Sequence, residues 1–375
     1  MQVAIYALII LATIYFVVFA IFAIGLLFYR DPNSSKNQTI PLSIVVAVRN
    51  EEANIDKLLI SILKQDYPAE DFEIILVNDH STDNTWPMAK KWAEQHANIQ
   101  LAELPIHSEG KKQAVAWGIS LAKNDTVVLT DADCTHPTSW LRNIALAYQT
   151  KKAHMLIGPV MISPTNTFFE KMQALEHASL TASSIGACGV GLPFMASAAN
   201  LSFNKSMLGF EQQMLNPKYA SGDDVFLLHS AKRRKGFRIS PLKGEGALVF
   251  TQPVKSVGKF LAQRARWASK STGYTDFTAI AVGFTVLLFN LLLVALAVLS
   301  FWNIAYLKVL GLGYVVKSIA DLLLLIPYLS QHKKLSLLYV FIPLQLVYPI
   351  YIVIAFAMAM LTNTRWKRKE MLNLE

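Results

Sequence analysis

Residues 3–28, VAIYALIILATIYFVVFAIFAIGLLF, contain no charged side chain. The run exceeds the roughly 20 apolar residues that a helix needs to cross a hydrocarbon core. Inside a bilayer the backbone can satisfy its polar groups only within such a helix or a closed barrel, so this feature fixes local structure and environment together. Three more apolar runs, Phe277–Trp302, Ile304–Leu329 and Leu335–Leu361, follow a long polar stretch. The chain is therefore expected to divide into an N-terminal anchor (1–30), a polar domain (31–275) and a C-terminal membrane block of two to three helices with a basic tail (276–375). A cleaved signal peptide is the rival reading of the first run. The length of the run, the lack of a basic n-region and the lack of a small-x-small cleavage site weigh against it. At 53% hydrophobic and 16% charged residues, the chain is too apolar for an ordinary soluble enzyme.

The middle run of the C-terminal block carries Lys308, Lys317 and Asp321. Charges inside a spanning helix are costly unless they reach the interface or a partner. Lys317 and Asp321 are four apart, on one helical face, and could pair. They could line a polar path for a lipid or glycan, or pack inside the bundle. Arg30 and Lys36 follow the first run, which places the polar domain in the cytoplasm by the positive-inside rule. Three later crossings would leave the basic tail Arg365–Lys369 outside. Two crossings plus a re-entrant or surface segment would bring it inside, and Pro343 and Pro349 make the last run the candidate for breaking. The formal charge of +9 gathers near membrane edges and in Lys232–Arg238. No module that interleaves basic and base-stacking residues is visible, so no nucleic-acid partner is expected; anionic lipid headgroups account for the charge. Cys134 and Cys188 have neither metal-site spacing nor a disulfide framework.

Within the polar domain, Asp31–Gln38 reads as a linker. Leu42–Val48, Phe72–Val77 and Thr126–Thr130 are short apolar runs of the kind that form buried parallel strands. Glu52–Gln65, Asp83–Gln95 and Lys112–Ala122 have helical spacing. Strands alternating with helices imply a doubly wound α/β sheet. Ligands of such sheets bind past the carboxyl ends of the strands. Asn50-Glu51, Asp79 and Asp131-Ala132-Asp133 each lie just past such an end, so three separated motifs are expected on one rim. Side chains two apart on an extended chain point the same way, so Asp131 and Asp133 can meet one cation. Ser221-Gly222-Asp223-Asp224 precedes an amphipathic stretch, Val225–Lys235. Gln263-Arg264-Ala265-Arg266-Trp267 stands shortly before the membrane block, with an Arg suited to phosphate and a Trp suited to sugar stacking. The stripe Phe168, Phe169, Met172 and Leu175 reads as packing, and Gly186, Gly189 and Gly191 as a mobile loop.

These motifs, in this order over roughly residues 40–270, resemble the membrane-bound family 2 glycosyltransferases, which include ceramide glucosyltransferases and processive polysaccharide synthases. The resemblance rests on Val46–Glu52, Val77–Thr85, Glu109–Ala114, the D-x-D triplet, the acid pair at 223–224 and Q-x-x-R-W. It implies a GT-A type nucleotide-sugar-binding domain with a mainly parallel sheet, flanked by transmembrane helices. It also implies an inverting transferase that uses Mg2+ or Mn2+ and sits in a bacterial inner or plasma membrane. By the same resemblance Glu51, Asp79, Lys111, Asp131 and Arg266 hold the donor, Asp133 binds the metal and Asp224 is the general base. Asn200, Asp223, Gln263 and Trp267 fall to the acceptor or its entrance, and Asp83 to capping the following helix. The chain departs from the pattern at Asn78 (Asp), His80 (Gly), Ala116 (Asn) and Ala199 (Gly), and it lacks the usual Pro before the N-E-E segment. His80 stands where Gly often supplies a positive φ. The expected partners are a nucleotide-sugar donor, a UDP-sugar by the same resemblance, a lipid or glycan acceptor and the bilayer. Single transfer to a lipid and extension of an exported polymer both fit. A sensor that binds nucleotide sugar without catalysis is the alternative from another class.

Overall fold

Among the described residues, seven strands form one sheet because the short apolar runs of the polar domain can bury both faces only side by side. A computed structural model describes residues 1–28, 39–219 and 221–362. The linker 31–38, Arg30 and the basic tail at 365–369 lie outside the described residues. In chain order the elements are α1 (Gln2–Phe28), β1 (Leu42–Val48), α2 (Ile55–Leu63), β2 (Phe72–Asn78), α3 (Thr85–Gln95), β3 (Ile99–Glu103), α4 (Lys111–Leu121), β4 (Thr126–Leu129) and α5 (Trp140–Lys151). Then come β5 (Met155–Ile157), β6 (Val160–Ile162), α6 (Phe168–Gly189), β7 (Leu201–Asn204), α7 (Lys205–Leu208), α8 (Asp223–Lys232), β8 (Ile239–Pro241), β9 (Val249–Thr251) and α9 (Val257–Ser269). The chain closes with α10 (Phe277–Leu299), α11 (Ala305–Gln331) and α12 (Phe341–Thr362).

The sheet order is β3-β2-β1-β4-β7-β5-β8, and β6 pairs with β9 in a small second sheet. Strands β3, β2, β1 and β4 are parallel, and β7 runs antiparallel to both of its neighbours. Alternation in β1 divides the core. Leu42, Ile44, Val46 and Val48 pack with Ile55, Leu58, Leu59 and Ile62 of α2 and with Trp140, Leu141 and Ile144 of α5. Val45 faces the other layer, with Ala114, Val115 and Ile119 of α4. Each such side chain, fully buried, contributes about 1.5–3 kcal/mol. The expected mainly parallel α/β sheet is the one observed.

Helix α6 departs from expectation. Gly186 and Gly189 are not in a loop; they lie in the last turn and a half of this 22-residue helix. There they let α1 approach to backbone distance. A Cβ on Gly186 would lie 2.2 Å from the Phe22 carbonyl oxygen, and one on Gly25 would lie 2.0 Å from the Gly186 carbonyl oxygen. Only Gly191, with φ 78°, serves the chain reversal that follows. Phe22 also stacks on Phe194, with ring centroids 5.6 Å apart. Gly186→Leu is expected to push α1 off the domain, because nothing in either backbone can yield. The cost should be at or above the 1–3 kcal/mol usual for overpacking, read as a lower unfolding temperature of the detergent-solubilised protein.

Among the described residues, four helical segments are long and apolar enough to cross a membrane: α1, α10, α11 and Leu335–Leu361, which contains α12. The last begins as a 3-10 stretch, Leu335–Val340, and then continues as helix with Pro349 inside it. Pro343 sits in the first turn of α12, where a missing N–H costs nothing. Lys317 and Asp321 pair inside the bundle: Lys317 Nζ donates to Asp321 Oδ2 at 2.6 Å and to Gln345 Oε1 at 2.8 Å. Gln345 Nε2 and the Tyr15 hydroxyl also donate to Asp321. Lys317 is 1% exposed, so the pair packs the bundle rather than lining an open path.

Candidate active site

The carboxyl ends of β1, β2 and β4 deliver three of the acidic motifs to one rim, as their register requires. Asp79 follows β2, and its N–H donates to the Val48 carbonyl at 2.9 Å. Both of its carboxylate oxygens accept from the Gly110 N–H at 3.0 Å, and Arg49 Nη1 lies 3.4 Å away. Asp79 thereby ties β2 to the loop that opens α4. His80 takes φ 56°, so the histidine adopts the left-handed backbone usually left to glycine. Its Nε2 meets the Ser108 carbonyl at 2.9 Å. Asn78, where the family has Asp, accepts from the Ser81 N–H through Oδ1 at 3.0 Å, a bond that needs only an acceptor. Asp83 accepts from the Thr85 N–H and hydroxyl and, through its other oxygen, from the Glu52 N–H. That carboxylate holds the first turn of α3 to the segment after β1.

Glu51 accepts from Asn54 Nδ2 at 2.7 Å. Burial, with the charges of Asp133, Asp131 and Asp83 adding, raises its carboxyl above the usual range against that hydrogen bond. Asp131 receives Lys111 Nζ at 2.6 Å. Burial pushes the Asp131 carboxyl up; Lys111 opposes this, and the charges of Asp133 and Asp224 add to it. Asp133 accepts from the Thr251 hydroxyl at 2.9 Å. Thr251 ends β9, which is fastened to the D-x-D loop by reciprocal backbone bonds between Thr135 and Phe250. No three His, Cys, Asp or Glu side chains among the described residues are close enough to hold a cation by themselves. Two adjacent carboxylates still fit a hard divalent ion that takes the rest of its oxygen shell from a diphosphate and water.

Asp223 and Asp224 open α8 behind Gly222, whose φ of 90° suits glycine. Asp224 accepts from the Val225 N–H at 2.7 Å and the Ala198 N–H at 3.3 Å, and Lys270 Nζ lies 3.5 Å from its Oδ1. Lys270 comes three residues after Trp267, and sequence reasoning passed over it. Asp223 is 5% exposed, and its Oδ2 has no hydrogen-bond partner among the described residues. Burial raises its carboxyl, with Lys111 opposing and Asp224 adding. Lys112, also missed, donates to the Asn216 carbonyl and lies over the Phe226 ring. Burial pushes its ammonium down to about 8, against the pull of Asp223 and Asp224. Lys111 thus lies in the field of Asp131 on the strand-end rim and of Asp223 and Asp224 on α8.

Helix α9 carries Gln263, Arg266 and Trp267, and starts at Ser256, whose hydroxyl accepts from the Lys259 N–H. Gln263 Oε1 accepts from Arg264 Nη1. The Trp267 ring lies against the Arg264 guanidinium, 4.2 Å from its centroid, and edge-on to His177. Arg266 is half-buried and makes no ion pair among the described residues. Asn200, expected at the acceptor side, lies in the core. It is 2% exposed, donates to the Pro159 and Ala247 carbonyls and accepts from Trp140 Nε1. These bonds join three segments of the core and use both N–H groups of the amide.

Sequence profiles of two related groups match the chain. One described as glycosyl transferase family 2 covers residues 43–207, and one described as glycosyl transferase family group 2 covers 126–361, more than half of the chain. Over 164 residues the chain is 26% identical to the beta-monoglucosyldiacylglycerol synthase of Nostoc sp., a match that covers 42% of this chain and 35% of that one. Over 92 residues it is 33% identical to the poly(ribitol-phosphate) beta-glucosyltransferase of Bacillus spizizenii, covering 24% and 14% respectively. The chain thus spans about a third or less of the length of these relatives. Among solved structures, the mannosyltransferase PcManGT from Pyrobaculum calidifontis, in complex with GDP-Man and Mn2+, shares the fold. The TM-score is 0.62 at 19% identity, over 98% of this chain and 100% of that one.

Proposed function

Because this chain belongs to the family 2 glycosyltransferases, we propose that it moves a hexose from a nucleotide-diphosphate sugar to a membrane lipid, with inversion at the anomeric carbon. The observation that carries this reading is the shared field of two sites far apart in sequence: the charge of Asp224 reaches both Asp131 and Lys111. A base and a diphosphate-binding edge close together are what a single displacement needs. Asp224 takes the proton of the acceptor hydroxyl as that oxygen attacks the anomeric carbon, and the nucleoside diphosphate leaves from the opposite face. Glu51 and Asp79 hold the nucleoside end, while Lys111 and Arg266 answer the diphosphate charge. Asp133, with Asp131 beside it, would hold Mg2+ or Mn2+, which when bound spreads the charge that develops on the leaving oxygen. Gln263, Asp223 and Trp267 border the acceptor side.

A lipid acceptor is supported by the apolar helices that flank the domain and by the similarity to a relative named for diacylglycerol. The domain is assigned to the cytoplasmic face, where nucleotide sugars are made. A donor screen by nucleotide release, on UDP- and GDP-sugars with and without divalent metal, tests the activity. No release from any donor would leave only a binding protein. With an active donor, a labelled product that dissolves in organic solvent and carries one added sugar supports a lipid acceptor. A high-molecular-weight product points to polymer extension instead. Chelation is expected to stop transfer and Mn2+ or Mg2+ to restore it. Asp133→Asn is expected to lower kcat by about 100-fold or more, since a Lewis acid contributes several kcal/mol to such a transition state.

A further inference from the structure

Arg264 occupies a variable position of Q-x-x-R-W, and the chemistry above gives it no task. Yet it is the most enclosed polar group of α9, with its side chain 5% exposed. Its Nε donates to Glu176 Oε1 at 3.0 Å, and its Nη2 reaches Glu176 Oε2. Glu176 stands in the middle of α6 and is itself 2% exposed. A second donor meets the same carboxylate: the Tyr351 hydroxyl of α12 lies 2.9 Å from Oε1. The guanidinium is also held between two rings of its own helix, 4.4 Å from the Phe260 centroid and 4.2 Å from that of Trp267. Phe260 in turn packs edge-on to Tyr351.

A buried ion pair of this kind is a weak device for stability, because well-packed apolar side chains of similar volume often replace one at no loss. A guanidinium does offer something an apolar chain cannot. It presents a flat charged face to an indole while its edge is fixed by a carboxylate fork. We propose that Arg264, clamped by Glu176 and Tyr351, is a positioning residue that sets the Trp267 ring at the acceptor entrance. The inference rests on the acceptor-side reading of Trp267 given above. It makes α6 and α12, which hold no reacting group, determinants of acceptor affinity.

The test uses the full-length protein in detergent, with labelled sugar transferred to a total lipid extract of the producing cells. Nucleotide release to water without added lipid is followed in parallel. Arg264→Met and the double variant Glu176→Leu/Arg264→Met are expected to raise the half-saturating lipid concentration about 10-fold, the scale of a desolvated cation–π contact. Nucleotide release and kcat at saturating lipid should stay within about twofold. Arg264→Lys keeps the charge but not the flat face, and is expected not to restore lipid affinity. The double variant keeps the question open to refutation should the single one fold poorly, since it leaves no buried charge unpaired. A folded double variant with unchanged half-saturation overturns the inference, and so does a loss of equal size in both assays. If the wild type neither releases nucleotide nor labels lipid, the transferase reading itself falls, and this inference with it.

Discussion

Asp224→Asn is expected to lower kcat by about 10²–10⁴-fold, the usual contribution of a positioned general base, while donor KM stays near its wild-type value. The substitution is nearly isosteric, and one amide oxygen can still accept from the Val225 or Ala198 N–H. What disappears is the proton-accepting charge, together with the counter-ion of Lys270. A loss in kcat with little change in donor KM marks an interaction made only in the transition state. Asp223→Asn provides the comparison. That carboxylate lies inside, where burial raises it above the usual carboxylate range, and the smaller effect is expected there. The roles would have to be exchanged if Asp223→Asn lost as much as expected of Asp224→Asn, and Asp224→Asn less than about tenfold.

The second large effect is on stability. Lys317→Met is expected to cost about 3–5 kcal/mol, because it leaves the Asp321 carboxylate inside the helix bundle without its cation. Tyr15 and Gln345 still donate to Asp321, but neutral donors do not balance the charge. Lys317→Met/Asp321→Leu should recover most of the loss, since removing both charges is far cheaper than stranding one. Thermal unfolding of the three proteins in one detergent decides this. Equal unfolding temperatures for wild type and Lys317→Met would show that the ammonium carries no such role.

Much of the parallel half of the sheet could be read in the sequence because its strands are apolar on both faces and the acidic motifs follow them at once. β1, β2 and β4 stand out for that reason, and so does the rim holding Glu51, Asp79, Asp131 and Asp133. The three-residue strands β5, β6, β8 and β9 could not be read, because each is defined by a partner far away in the chain. Thr251 shows the consequence: it bonds Asp133 from 118 residues downstream, in a segment with no pattern of its own. Helix α6 was hidden by its composition. Its small residues suit a close approach to another helix, and that helix lies far upstream, so the glycines looked like loop punctuation. Lys270 and Arg264 carry charge next to a known motif, and only their distances separate them from ordinary surface residues.

The glycine contact between α1 and α6 also has a consequence in time. Gly186 lies 161 residues after Gly25 (186 − 25), and chains grow at about 5–20 residues per second. For several seconds or longer α1 of each nascent chain waits with its glycine face bare. The surface that receives it has not yet been translated. Replacing α1 with a generic hydrophobic leader would preserve targeting and still deprive the later helix of its counterpart. Deleting α1 to obtain a soluble fragment would leave the same scar on α6. Helix α1 is therefore made well before the part of the domain that it packs against.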